Sequence, residues 1–139
     1  MAETVEWRWD HGWVLASVIV AHGSEHPDLA GVISAADYFN RLIVSRAQIE
    51  TSVNRLRAAA LVDPDDPLTP LAPAEALWQK ARNSDGFVAS IQRLVGLMNS
   101  GWVATTEVEP WALSPEDYAS ALTLYRERMA AVRDRPRGV

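Results

Sequence analysis

The chain has 139 residues, with 18 acidic against 13 basic side chains, a net charge of −5, and no cysteine. Disulfide frameworks and thiolate metal sites are excluded, and the acid excess offers phosphate backbones or anionic lipid no global attraction. The longest apolar run, Trp13 to Ala21, is nine residues broken by Ser17, well short of the roughly 20 that a membrane-spanning helix needs. One soluble, cytoplasmic domain is expected, with no basic leader at Met1-Ala2-Glu3 and no membrane partner.

Asp10 is expected to cap a first helix, with Trp9 outside it and Val14 inside at the spacing of a hydrophobic staple. This helix runs to about Ala21 and is apolar nearly all round. Val14, Val18 and Ala21 share one face and Trp13, Ser17 and Val20 the next, which predicts deep burial. His22 to His26 reads as a loop, and Pro27 suits the first turn of a second helix with a core stripe of Leu29, Val32, Ile33, Ala36 and Phe39 or Asn40. After a turn over Asn40 to Val44, Ser45 opens a third helix. Two start signals agree there: Ser45 and Gln48 form a capping box, and Val44 and Ile49 stand at staple spacing. Ile49, Val53, Leu56 and Ala60 fall on its buried face, and Ala47, Thr51 and Asn54, flanked by Gln48 and Arg55, on the opposite one.

Leu61-Val62, the turn Asp63-Pro64-Asp65-Asp66-Pro67, and Leu68-Thr69-Pro70 follow. Prolines cannot donate to a ladder, so only a rudimentary hairpin fits. A fourth helix starts near Pro73 and carries Leu77, Trp78 and Ala81. Asn83-Ser84-Asp85-Gly86 interrupts, and Phe87, Ile91, Leu94 and Met98 stripe a fifth helix that stops at Asn99-Ser100-Gly101. A connection through Trp102 and Trp111 leads to a last helix, which opens at Ser114 with Pro115 in first position and Asp117 completing a box-like cap. In it Tyr118, Leu122, Tyr125, Met129 and Val132 alternate steps of four and three. That seam would pack on the Phe87 to Met98 helix or pair with a second copy across a two-fold axis. The basic tail Arg133-Asp134-Arg135-Pro136-Arg137 is expected to fray.

The order of helix, short hairpin and helix, with Arg55-Leu56-Arg57-Ala58-Ala59-Ala60-Leu61-Val62 closing the third helix and Leu68-Thr69-Pro70 leading out of the hairpin, resembles the winged helix-turn-helix superfamily of bacterial regulators. The resemblance covers roughly Trp13 to Leu77. Trp9-Asp10-His11-Gly12-Trp13, the pair Asp37 and Asn40, Leu61-Val62 and Leu68-Thr69-Pro70 look most like a group of small bacterial proteins of that kind with no established activity. It implies a mainly α, single-domain fold: a winged-helix core over 10–82 with a short, reduced hairpin wing, and a C-terminal helical extension over 84–135. Two positions depart from it. The glycine expected after the recognition helix is Ala60, and the wing, usually longer and often basic, is a turn holding Asp63, Asp65 and Asp66, whose carboxylates repel phosphate.

Between Arg41 and Arg57 four arginines oppose Glu50 alone, a local balance of +3. Arg41, Arg46, Gln48, Thr51, Asn54, Arg55 and Arg57 are therefore the candidate contacts to duplex DNA, reaching base edges and phosphates. The leading expectation is a DNA-binding, transcription-regulator-like module. The alternative is a protein-interaction or dimeric scaffold module that keeps the fold and uses Tyr118, Leu122, Tyr125 and Met129 as partner or homodimer contacts. A metabolite sensor built on the tryptophans is a third reading, although Trp7, Trp9 and Trp13 are expected to serve core packing. His11, His22 and His26 read as surface side chains rather than metal ligands, Asn40 as a helix-end residue, and Asp37 has no role in this scheme. With no Ser-His-Asp order, glycine-rich phosphate loop or dinucleotide fingerprint, no enzymatic activity, cofactor or metal is expected.

Overall fold

Six helices make up most of the residues described in the computed structural model, which are 6–101 and 107–134: α1 (Trp9–His22), α2 (Leu29–Asn40), α3 (Arg46–Ala58), α4 (Ala72–Ala81), α5 (Phe87–Asn99) and α6 (Pro115–Arg133). Trp102 and the tail residues Arg135, Pro136 and Arg137 lie outside the described residues. The fold is mainly helical, and no sheet forms among the described residues.

The axle is α1, which packs against α2, α3 and α5 and also touches α4. Its sequence requires this place, since every residue from His11 to Val18 is buried and the helix has no solvent face to present there. Gly12 sets the approach of α5: a Cβ at this position would lie 2.5 Å from Val95 Cγ2. The helix start differs from the expected one. Arg8, not Asp10, is the N-cap, and His11 Nδ1 accepts the Arg8 backbone N–H at 2.9 Å, an imidazole standing where a capping box usually has glutamate. Asp10 sits exposed in the first turn and accepts from Gln48 Nε2 at 3.3 Å.

Helix α2 also begins elsewhere than Pro27 suggests. Asp28 is its N-cap, accepting the Gly31 N–H at 2.8 Å, because a carboxylate acceptor for a free helix amide decides the boundary more strongly than a nearby proline. The helix ends at Asn40, and Arg41 follows in the left-handed region at φ 54°. In α3 both start signals are present: Ser45 Oγ accepts the Gln48 N–H at 3.1 Å, Gln48 Oε1 accepts the Ser45 N–H at 2.9 Å, and Val44 and Ile49 are buried together.

Ile49, Val53 and Leu56 face the core as their spacing dictates, but Ala60 does not. It is exposed, at φ 57°, and closes a Schellman turn in which Leu61 N–H donates to the Leu56 carbonyl at 3.0 Å and Ala60 N–H to the Arg57 carbonyl at 3.1 Å. Beyond it, Val62 and Pro70 form a single antiparallel bridge, flanked by Asp63 N–H to Thr69 O and Leu71 N–H to Leu61 O, each 2.9 Å. The acids of this turn close it on itself: Asp63 Oδ1 accepts the Asp65 N–H and Asp66 Oδ2 accepts the Thr69 hydroxyl.

Helix α4, with Pro73 in its first turn, packs on α5. In α5 Ile91, Leu94 and Met98 are buried, whereas Phe87, expected in the same stripe, is partly exposed and leans on the rings of Phe39 and Tyr38. Helix α6 starts as its cap predicts, Ser114 Oγ accepting the Asp117 N–H at 3.0 Å. It packs on α2, not on α5. Polar latches account for this: the Tyr118 hydroxyl donates to the Val44 carbonyl at 2.6 Å, the Tyr125 hydroxyl donates to the Asp37 carboxylate, and Arg128 forks onto both oxygens of Asp28 at 3.1 and 2.9 Å. Burial together with the Asp37 carboxylate pushes the Tyr125 hydroxyl up to about 12, and Asp37 acquires a role that spacing alone did not supply.

Alanine at a left-handed position carries a steric cost of about 1–2 kcal/mol that glycine avoids, offset in part by the greater freedom of glycine in the unfolded chain. Ala60→Gly is expected to raise the urea-unfolding free energy by about 0.5–1 kcal/mol. Gly31→Ala acts in the opposite direction, because its Cβ would lie 1.8 Å from the His26 carbonyl oxygen.

Candidate nucleic-acid interface

On α3 the polar side chains Arg46, Glu50, Asn54 and Arg57 recur at steps of four, four and three, so they form one stripe with an axial spacing of about 6 Å per four residues. Alternate residues of an extended chain repeat at about 6.6 Å, which nearly matches that stripe. The segment before α6 uses this match. Leu113 N–H donates to Glu50 Oε2 at 2.8 Å, and Arg46 Nη1 donates to the Leu113 carbonyl at 3.0 Å. Asn54 pairs with both main-chain groups of Trp111, accepting its N–H at 2.7 Å and donating to its carbonyl at 2.9 Å. Arg57 Nη1 donates to the Glu109 carbonyl at 2.7 Å. Residues 109, 111 and 113 thus face α3 in antiparallel order, and the segment is a strap along the polar side of the helix.

Arg57 is only 9% exposed. Its Nε and Nη2 both donate to the Pro64 carbonyl, at 3.0 and 2.8 Å, and Nη1 also reaches Asn54 Oδ1 at 3.1 Å. The guanidinium therefore joins α3, the acidic turn and the strap. Arg46 is further paired with Glu50 at 3.2 Å. At the other edge Arg55 Nη1 donates to the Glu6 carbonyl at 3.2 Å. The adjoining Trp7 is held by Asn99, which accepts its N–H at 2.7 Å and donates to its carbonyl at 3.0 Å, the same amide pairing that Asn54 makes with Trp111.

Of the seven residues expected to contact DNA, Arg46, Gln48, Asn54, Arg55 and Arg57 are engaged by the chain itself through their side chains. Arg41 and Thr51 are exposed and make no side-chain hydrogen bond or ion pair among the described residues. The seam on α6 divides in two. Tyr125 is buried and Tyr118 and Leu122 half-buried, while Met129 and Val132 are exposed.

The aromatic and histidine expectations separate in the same way. Trp7 and Trp13 are buried, Trp13 Nε1 donates to the Ala36 carbonyl at 3.0 Å, and the partly buried Trp9 lies 5.4 Å from the Trp13 ring. His22 and His26 are exposed, but His11 is buried, edge-on to Trp7, which corrects the surface reading. Burial lowers its pKa below 6.5, with Arg55 acting in the same direction. Among the described residues no three His, Cys, Asp or Glu side chains are grouped to hold a metal ion, and no helix is long and apolar enough to cross a membrane.

Spacing alone could not reveal the strap, because its bonds run from side chains to main-chain groups that every residue carries. The alternation of Trp111 and Leu113, half-buried and buried, was its one available signal. Comparisons with protein families, with curated proteins and with solved structures gave no match.

Arg57→Ala removes charged hydrogen bonds to two carbonyls and is expected to cost about 2–3 kcal/mol of unfolding free energy, with Asn54→Ala costing about 1–2 kcal/mol and accelerating hydrogen exchange at the Trp111 amide. A purely nucleic-acid-facing role predicts stabilities unchanged within about 0.5 kcal/mol for both. His11 gives a pH dependence of definite sign. Its folded-state pKa lies below the unfolded value, so its contribution is complete above about pH 6.5 and is lost as pH falls through the folded pKa. Urea titrations at about pH 7.5 and 5 should show a smaller loss for His11→Gln, which keeps an acceptor for Arg8 and does not titrate.

Proposed function

We propose that residues 10–82 form a winged-helix-type core with a vestigial hairpin, and that the protein is an interaction module that uses this core as a scaffold rather than α3 as a reader of DNA. The observation carrying this reading is the strap, which occupies the polar side of α3 with residues of the same chain. For Asn54 and Arg57 to reach base edges, the bonds to Trp111, Glu109 and Pro64 would have to break, at roughly 1 kcal/mol each or more for those of the charged guanidinium. The surroundings add to the argument. Asp63, Asp65 and Asp66 sit at the turn where a wing would meet phosphate, and the chain as a whole carries −5. Arg41 is the one cation of the four with no side-chain partner among the described residues, and one or two phosphate contacts give weak, salt-sensitive association only.

Exposed apolar side chains stand on α1, α2, α5 and α6 and in the turn after α2, among them Val20, Tyr38, Leu42, Phe87, Met129 and Val132. Tyrosine, phenylalanine and methionine are enriched in protein interfaces. The test is a selection from a pooled random duplex at low ionic strength. No duplex is expected to be enriched beyond the weak, salt-sensitive association that Arg41 allows, and Arg55→Ala should leave the result unchanged. Duplex binding that weakens with salt and with Arg46→Ala or Arg55→Ala would overturn this reading in favour of a DNA-binding regulator.

A further inference from the structure

The last two turns of α6 and the facing part of α2 do not close on each other. Between them and the end of α1 lies a groove of about 490 Å³, floored by alanines of α1 and α2 and walled by Val20, Tyr38, Met129 and Val132. All four walls are strongly exposed for apolar or aromatic side chains: Tyr38 at 71%, Val132 at 58%, and Val20 and Met129 at 40% each. The groove exists because α6 is held by Tyr118, Tyr125 and Arg128, whose hydroxyls and guanidinium reach sideways to Val44, Asp37 and Asp28 without drawing the apolar tips of the final turns onto α2.

The charge around this groove selects its occupant. On α6, Arg126 and Arg133 stand seven residues apart on one stripe, on either side of Met129, and with Tyr125 they line a shallower depression of about 260 Å³ beside the groove. Neither makes a side-chain hydrogen bond or ion pair among the described residues. The acids Glu127 and Asp134, one residue further on, are turned about 100° away round the helix. The third base, Arg128, is neutralised by Asp28, and Glu25 on the far lip is the remaining acid of the lining. One lip is therefore a basic, apolar ridge on a chain of net charge −5. A second copy docked across a two-fold axis would set Arg126 and Arg133 against the same patch, like charge facing like. A bilayer surface offers no ridge to enter a concave site.

We propose that the groove docks an acidic amphipathic helix of a partner protein, its apolar side chains at i, i+3, i+4 and i+7 entering between α2 and α6 and its flanking carboxylates meeting Arg126 and Arg133. This assignment rests on the protein-interaction reading above. Methionine suits such a wall, since its unbranched thioether side chain repacks around anchors of different shape.

Fluorescence anisotropy of a labelled helical peptide with leucines at those four positions and glutamates on both flanks, added to the full chain, is the test. Saturable binding is expected, weakened about tenfold by the double reversal Arg126→Glu with Arg133→Glu and by added salt. It should be abolished by Met129→Asp. All these positions are exposed, so circular dichroism and thermal melts should match the parent protein. A peptide with lysine in place of every glutamate should not bind. The proposal is overturned if the acidic peptide fails to bind, if the lysine peptide binds as well, or if the variants leave binding intact. Sedimentation showing a dimer that Met129→Asp dissociates would instead assign the groove to a second copy, and flotation with vesicles containing phosphatidylserine would assign it to membrane. Failure of the peptide together with absence of duplex binding removes the groove assignment and leaves the interaction reading standing; duplex binding that depends on Arg55 removes that reading itself.

Discussion

Arg57 is the interaction on which the arrangement of this chain depends. A nearly buried guanidinium remains charged, so its donors must all find acceptors. Here the acceptors are carbonyls of Pro64 and Glu109 and the amide oxygen of Asn54, with no carboxylate among them. Its position in the last turn of α3 adds the favourable field of the helix C-terminus. Because those acceptors belong to the acidic turn and to the strap, one side chain fixes the course of the chain on both sides of α4 and α5. The strap in turn delivers α6 to α2.

What α6 does after delivery follows from its composition. It buries only Ala121 and Tyr125 fully, too little apolar surface for a tightly closed seam. It is attached by the Tyr125 hydroxyl to Asp37 of α2, by the Tyr118 hydroxyl to Val44 in the turn before α3, and by the Arg128 fork onto Asp28 at the α2 N-cap, an interaction that also holds the Asp28 carboxyl below its usual range. Latches of this kind set the distance between two helices without filling the space between them. The open groove and the exposed side chains at its margins are the result, and stability and an available surface come from the same helix.

Much of the local structure was readable from residues because its causes are local. Ser45 with Gln48 starts α3, Pro73 sits in the first turn of α4, and Ser114 with Pro115 starts α6, each through a bond or a fixed φ spanning a few residues. Errors arose where an unusual group took a familiar role. His11 accepts the amide that a glutamate would accept, which moved the start of α1 to Arg8, and Asp28 took the boundary of α2 from Pro27. Ala60 was assigned to the buried face by spacing, yet the chain needed a left-handed residue there and placed alanine in it. The packing of α6 on α2 was not readable, since hydroxyls reaching a carbonyl and a carboxylate leave no periodic pattern. A stripe of Tyr118, Leu122, Tyr125, Met129 and Val132 indicates a face and does not indicate what it faces.

The candidate site shows the same ambiguity in sharper form. Asparagine is suited to adenine because its amide offers one donor and one acceptor side by side, and arginine to guanine because its fork meets two acceptors at once. A peptide unit in an extended chain presents similar groups: an N–H and a carbonyl for Asn54 at Trp111, and carbonyls from two segments for Arg57. A capped helix carrying Arg46, Asn54 and Arg57 on one polar stripe therefore reads equally well as a reader of base edges and as a clamp on backbone. Residue chemistry cannot separate the two. What separates them is whether another part of the chain can reach the helix, and that depends on the length and course of the connection between α5 and α6 rather than on any residue of α3.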